Sequence, residues 1–171
     1  MKKKILVVLL CLINVIAFAQ SDTTKKASTV YTEPVQVGNL GVSILPPAYF
    51  EPSENFTGFM HKGAGASLQI STTEGKPFPI MAQALVDKAN LEKLGITLIS
   101  QEKIKTKQGK DAILIVIGFT IKGPGKDFDY ERIVLLTGDY DRTIMVNANY
   151  PVLAKSILFE VIKQSVLTIA Y

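Results

Sequence analysis

The chain has little of what most catalytic sites are built from. Its 171 residues include one cysteine, one histidine and no tryptophan. The cysteine, Cys11, lies inside an N-terminal apolar run, so a chain processed beyond it carries no thiol. That excludes disulfides, thiolate zinc sites, haem attachment through cysteine and a cysteine nucleophile. With His61 as the only imidazole, a paired-histidine motif such as H-E-x-x-H cannot exist, and a Ser-His-Asp triad would have to use His61. No G-x-S-x-G elbow and no G-x-x-x-x-G-K-[ST] loop occurs. Gly63-Ala64-Gly65 is followed by a strand pattern, Ala66 to Thr72, and not by a helix. It therefore lacks the helix N-terminus that a phosphate cradle needs, and reads as a hairpin turn. No cofactor is implied.

The basic balance is also thinner than it looks. Met1-Lys2-Lys3-Lys4 is a positive n-region, Ile5 to Phe18 is apolar except for Asn14, and Ala17-Phe18-Ala19 supplies a small-x-small end. This predicts a secretory signal over residues 1–19, cut between Ala19 and Gln20. Its apolar run of 14 residues is shorter than the ~20 that span a bilayer, so stable membrane insertion is not expected after cleavage. Cys11 follows Leu10, not the small residue of a lipoprotein signal. Removing 19 residues leaves 152 and lowers the net charge from +4 to +1, because Lys2, Lys3 and Lys4 go with the leader. The pI near 9.1 is therefore no argument for a nucleic-acid partner. The expected address is the periplasm or the extracellular side.

The mature part reads as a flexible polar tether over 20–34 and a single α+β domain over 35–171. Val42 to Leu45 is a strand signal ended by Pro46-Pro47, and Phe56 to Met60 and Ala66 to Thr72 flank the Gly63–Gly65 turn. After Lys76-Pro77-Phe78-Pro79, the spacing predicts one helix over 80–94, with Gly95 as its stop. Four strand patterns follow: Ile96 to Lys107, Ala112 to Ile121, Phe128 to Thr137 and Arg142 to Tyr150. Their short turns make them antiparallel neighbours in a meander. Pro151 then opens a last helix over about 152–168. Its expected sheet-facing side is Leu153, Ala154, Ile157, Leu158, Val161, Ile162 and Ser165.

This order resembles the PsbP-like superfamily, which includes photosystem accessory proteins, a nuclear import factor that binds a Ran-type GTPase, and DcrB-like bacterial envelope proteins. The resembling parts are Val42-Ser43-Ile44-Leu45-Pro46-Pro47, Gly58-Phe59, the helix ending at Leu94-Gly95, the turn Gly109-Lys110-Asp111-Ala112, and Tyr150-Pro151 with its helix. They span about residues 40–171. The resemblance implies an antiparallel sheet flanked by helices, an αβα sandwich, in proteins that mostly bind or stabilise partners. The metal binding of the photosynthetic branch leans partly on histidine, so no metal site carries over to a chain with His61 alone.

Several side-chain groups merit weighing. Asp127, Asp129 and Glu131 alternate and would share one strand face, with Asp139 and Asp141 in the next turn. They could hold a cation, but lack the D-x-[DN]-x-[DN]-G order, and the plainer reading is a solvated strand face. Lys103, Lys105 and Lys107 alternate, with Lys110 across the turn. They read as an electrostatic stripe for an anionic partner or, more plainly, as guards on an edge strand. His61 could be a general base oriented by Glu74 or Asp111, yet no nucleophile is spaced beside it. Phe50, Phe56, Phe59 and Met60 could line an apolar pocket or simply fill the core. The sequence therefore points to an exported, non-catalytic binding or accessory domain of the bacterial cell envelope, acting on an envelope protein or ligand. The alternatives are a small metal-dependent or hydrolytic enzyme using Asp127, Asp129 and Glu131 or His61, and a carrier of an apolar ligand.

Overall fold

The computed structural model describes residues 29–171. The expected signal, its Ala19–Gln20 cleavage point and Cys11 lie outside the described residues. The described end of the expected tether is attached to the domain. Thr29 O accepts the Tyr49 N–H at 2.9 Å, and the Tyr31 ring meets Phe59 edge-on at 5.9 Å.

The expected meander forms the main part of a seven-stranded antiparallel sheet. Its strands are β3 (Glu51–Pro52), β4 (Gly58–His61), β5 (Ala66–Glu74), β6 (Thr97–Lys105), β7 (Asp111–Gly123), β8 (Lys126–Gly138) and β9 (Arg142–Pro151). In space they run β3-β4-β5-β9-β8-β7-β6. A separate hairpin joins β1 (Val35–Gln36) to β2 (Ser43–Ile44), and Ser43 exchanges two 2.9 Å backbone bonds with Ala170. The long apolar run of β7 is explained by burial on both sides. Ala112, Leu114 and Val116 enter one core, while Ile113, Ile115 and Ile117 enter the other.

Helices cover both faces, which makes the molecule the αβα sandwich expected. The helix anticipated over 80–94 is instead two: α1 (Phe78–Leu85) and α2 (Lys88–Lys93). Asp87 causes the break. Its backbone is extended, at φ −60° and ψ 105°, and its carboxylate accepts the Asn90 N–H at 3.2 Å, so it caps a new helix in place of continuing the old one. Ala82 of α1 packs into the Ile113–Ile115–Ile117 core.

The last helix starts later than expected. Val152–Ala154 is a single 3₁₀ turn, and α3 runs Lys155–Val166. It buries Leu158, Ile162, Ser165 and Val166 against the opposite core. The expected anchors Leu153 and Ile157 are 90% and 72% exposed, and Val161 is exposed too. The helix is rotated because polar bonds fix it. Ser165 Oγ donates to Leu45 O at 2.7 Å, the Leu45 N–H donates to Thr168 Oγ1 at 2.8 Å, and Lys155 Nζ donates to Glu131 at 2.7 Å.

The β8–β9 connection depends on Gly138, at φ 142°. A Cβ there would sit 2.0 Å from Arg142 O, a backbone atom. Gly138→Ala is expected to cost at least the ~1–3 kcal/mol of a strained residue, lowering the denaturation midpoint in urea with m unchanged. Wild-type stability in that variant would mean that the turn is not held as described.

Candidate functional site

The three alternating carboxylates separate into two environments. Asp127 and Asp129 lie on an exposed part of the β7–β8 hairpin, where Lys122 pairs with Asp127 at 2.5 Å and Thr120 Oγ1 donates to Asp129 at 2.8 Å. Both are solvated, as the plainer reading held. Glu131 is not: only 5% of it is exposed. Tyr150, which lies directly opposite it on β9, donates its hydroxyl to Oε2 at 2.6 Å. Lys155, at the start of α3, donates to Oε1 at 2.7 Å. The solvated-face reading thus fails for Glu131, because the α3 N-terminus covers this end of the face. Burial first, and then the Glu131 carboxylate, hold the Tyr150 phenol well above its ordinary range. Such a tyrosine keeps its proton. The cluster is a neutralised clasp between sheet and helix.

Arg132, on the other face, was not singled out from sequence. Its Nε donates to Asn149 Oδ1 at 2.5 Å, and Asn149 Nδ2 donates to Ser67 Oγ at 3.0 Å. Its guanidinium lies 5.1 Å from the Phe119 ring, which stacks on Tyr130. Burial lowers the proton affinity of Arg132 to about 10. The network ties β5, β9 and β8 together across the sheet.

The other candidates do not converge on these groups. His61 Nδ1 accepts the Ala64 N–H at 3.2 Å, which assigns the ring proton to Nε2, and the ring lies edge-on to Phe50 at 5.6 Å. Neither Glu74 nor Asp111 orients it: Asp111 instead pairs with Lys105 at 2.7 Å. That hydrogen bond, and the charge behind it, hold the Asp111 carboxyl below its usual range. Asp139 Oδ1 accepts the Asp141 and Arg142 N–H groups, a turn function. No group of three or more metal-ligating side chains is assembled among the described residues. Among the same residues, no buried side-chain nitrogen or oxygen lacks a hydrogen-bond partner.

Of the aromatic set, Phe50 and Phe59 are core residues, while Phe56 and Met60 are half-buried. Phe56 and Phe59 border an open cleft of about 480 Å³ between β1 and the β3–β4 loop, with Ser53, Glu54, Asn55 and Thr57 among its lining. A second void, between α1, α2 and the sheet, measures about 30 Å³, room for little more than one water.

Lys103 and Lys105 lie on one face of β6, opposite Ile113 and Asp111. Lys107 falls past the strand end, where its N–H donates to Leu167 O, and Lys110 Nζ sits 5.6 Å from the Tyr171 ring. The predicted alternation therefore holds within the strand for Lys103 and Lys105 but not for Lys107, and Lys110 follows across the turn as expected.

No family model matches this sequence, and no curated protein matches it either. In three dimensions the chain is similar to cyanobacterial PsbP (CyanoP) from Synechocystis sp. PCC 6803. The TM-score is 0.56 and the identity 9%, over 87% of this chain and 97% of that one. The fold is PsbP-like.

Proposed function

We propose that this chain is an exported accessory domain of the bacterial cell envelope that works by binding and not by catalysis. The leader pattern ending at Ala19 supports export. The observation that carries the rest is how the reactive candidates are used. His61 Nδ1 caps a turn, both Glu131 oxygens hold Tyr150 and Lys155, and Asp127, Asp129 and Asp111 are engaged with neighbouring side chains of their own hairpins. Among the described residues these groups are engaged in holding the fold together, which supports a binding role. The cleft beside Phe56 falls within the ~300–1,000 Å³ range of ligand pockets, which supports a ligand carrier as the second reading.

Expression with a C-terminal affinity tag, followed by fractionation, intact mass and in-cell cross-linking, tests the first reading. The expected result is an exported species starting at Gln20, cross-linked to a discrete envelope protein. Retention of Met1 to Ala19 would overturn export. A turnover abolished in both His61→Ala and Glu131→Gln, in folded protein, would overturn the non-catalytic assignment.

A further inference from the structure

The two edges of the sheet are finished differently. β3 is two residues long and contains Pro52, which has no N–H to offer a further strand. β6 is nine residues long, eight of them exposed, and among the described residues it pairs only with β7. A register shift lies between Leu98 and Ser100, after which pairing is regular from Ser100 to Lys105. Six residues of regular, uncovered edge are enough to seat another strand, because alternate residues turn their N–H and C=O groups outward.

We propose that this edge takes up an extended acidic segment of a partner protein as an eighth strand. The inference rests on the reading of the chain as a binding domain, and names the chemistry of its partner. Charge selects the occupant. Glu102, on one face of β6, is matched by Lys163 at 3.0 Å. On the other face Lys105 is matched by Asp111, whereas Lys103 forms no ion pair among the described residues. Lys107 and Lys110 follow past the strand end, so the edge carries an unbalanced positive charge. An incoming strand with acids at alternate positions would set them opposite Lys103 and Lys105, and an apolar residue opposite half-buried Ile104.

The same side chains disfavour a second copy of this chain. A two-fold axis through the sheet pairs residues of the same face, so the symmetric antiparallel registers that keep most of Ser100–Lys105 paired centre on residue 102 or residue 103. One sets Glu102 against its own counterpart, and the other sets Lys103 against its own. Like charges directly opposite are destabilising. Lys103 thus repels self-pairing and attracts an acidic strand.

The test uses isotopically labelled protein and a synthetic peptide of alternating Glu and Thr, with a second version N-methylated at alternate backbone nitrogens on its pairing edge. The first peptide is expected to slow the exchange of alternate amides between Ser100 and Lys105. N-methylation should abolish this effect. Lys103→Glu should weaken binding by about three- to ten-fold, the scale of one lost and one repelling surface pair. Unchanged exchange in β7 and β8 would show that the variant is folded. Equal binding of the methylated peptide, perturbation centred away from β6, or no binding at millimolar peptide would overturn the edge assignment. Protection of β6 in protein alone, with a dimer mass, would overturn it in favour of a second copy. None of these outcomes touches the cross-linking result, which decides the binding-domain reading separately.

Discussion

Ile162→Ala is expected to destabilise the domain by about 2–5 kcal/mol, while Ile157→Ala is expected to change little. The two residues are five apart on α3 and chemically identical, but Ile162 is fully buried and Ile157 is 72% exposed. Truncating Ile162 removes buried methyl groups and leaves a void between the helix and the sheet, where Leu158 and Val166 are its neighbours on the same helix face. Against a typical domain stability of ~5–15 kcal/mol, that is a large fraction. At ~2–4 °C per kcal/mol for a domain of this size, thermal melting followed by circular dichroism resolves the difference easily. Equal losses from both variants would mean that α3 sits on the sheet in another rotation, and no loss from either would mean that it is not docked.

This contrast also shows where sequence reasoning stops. The 3₁₀ turn and the helix after it carry two apolar rows at four-residue spacing, Leu153–Ile157–Val161 and Leu158–Ile162–Val166. Periodicity alone cannot choose between them, because both satisfy the same helical repeat. The choice is made by Ser165 and Thr168 binding Leu45, more than a hundred residues earlier. Local signals fared better. Gly109, Gly125 and Gly138 lie at the ends of the β6–β9 strands with positive φ, and the turns they mark fix the meander. With Gly138 opposite Thr143, counting back along the hairpin places Glu131 opposite Tyr150 and Arg132 opposite Asn149. The polar cross-strand pairs were thus legible in principle from the turn. Their burial was not, since it depends on the placement of α3 and on β5 pairing with β9, where Ser67 meets Asn149 across 82 residues of chain. The Asp87 break was legible as well: an aspartate three residues before Asn90 is a helix start as readily as an interior position. The asymmetry of the sheet edges needed the spatial strand order, which no single hairpin supplies.

Glu131→Ala is expected to cost about 2–5 kcal/mol, more than an ordinary surface carboxylate could, and Glu131→Gln clearly less. Tyr150 is fully buried, and its hydroxyl donates to Glu131 Oε2. Without an acceptor, that donor stays desolvated, at ~1–3 kcal/mol, and the missing side chain adds a void. The lysine matters less, because 45% of the Lys155 side chain is exposed and its ammonium can turn to water; an ion pair of that kind contributes ~0–1 kcal/mol. Gln keeps a carbonyl oxygen for Tyr150 and fills the same space, so it loses chiefly the charge assistance on both bonds. Urea denaturation of the two variants measures the ordering. Cross-linking of the same proteins to the envelope partner proposed above, at a temperature where both are folded, tests binding independently. A clasp predicts that stability falls in the order wild type, Gln, Ala while partner capture by the folded protein persists. If Glu131→Gln is instead as stable as wild type and loses all function, the carboxylate acts on something outside the fold, and the clasp assignment is wrong.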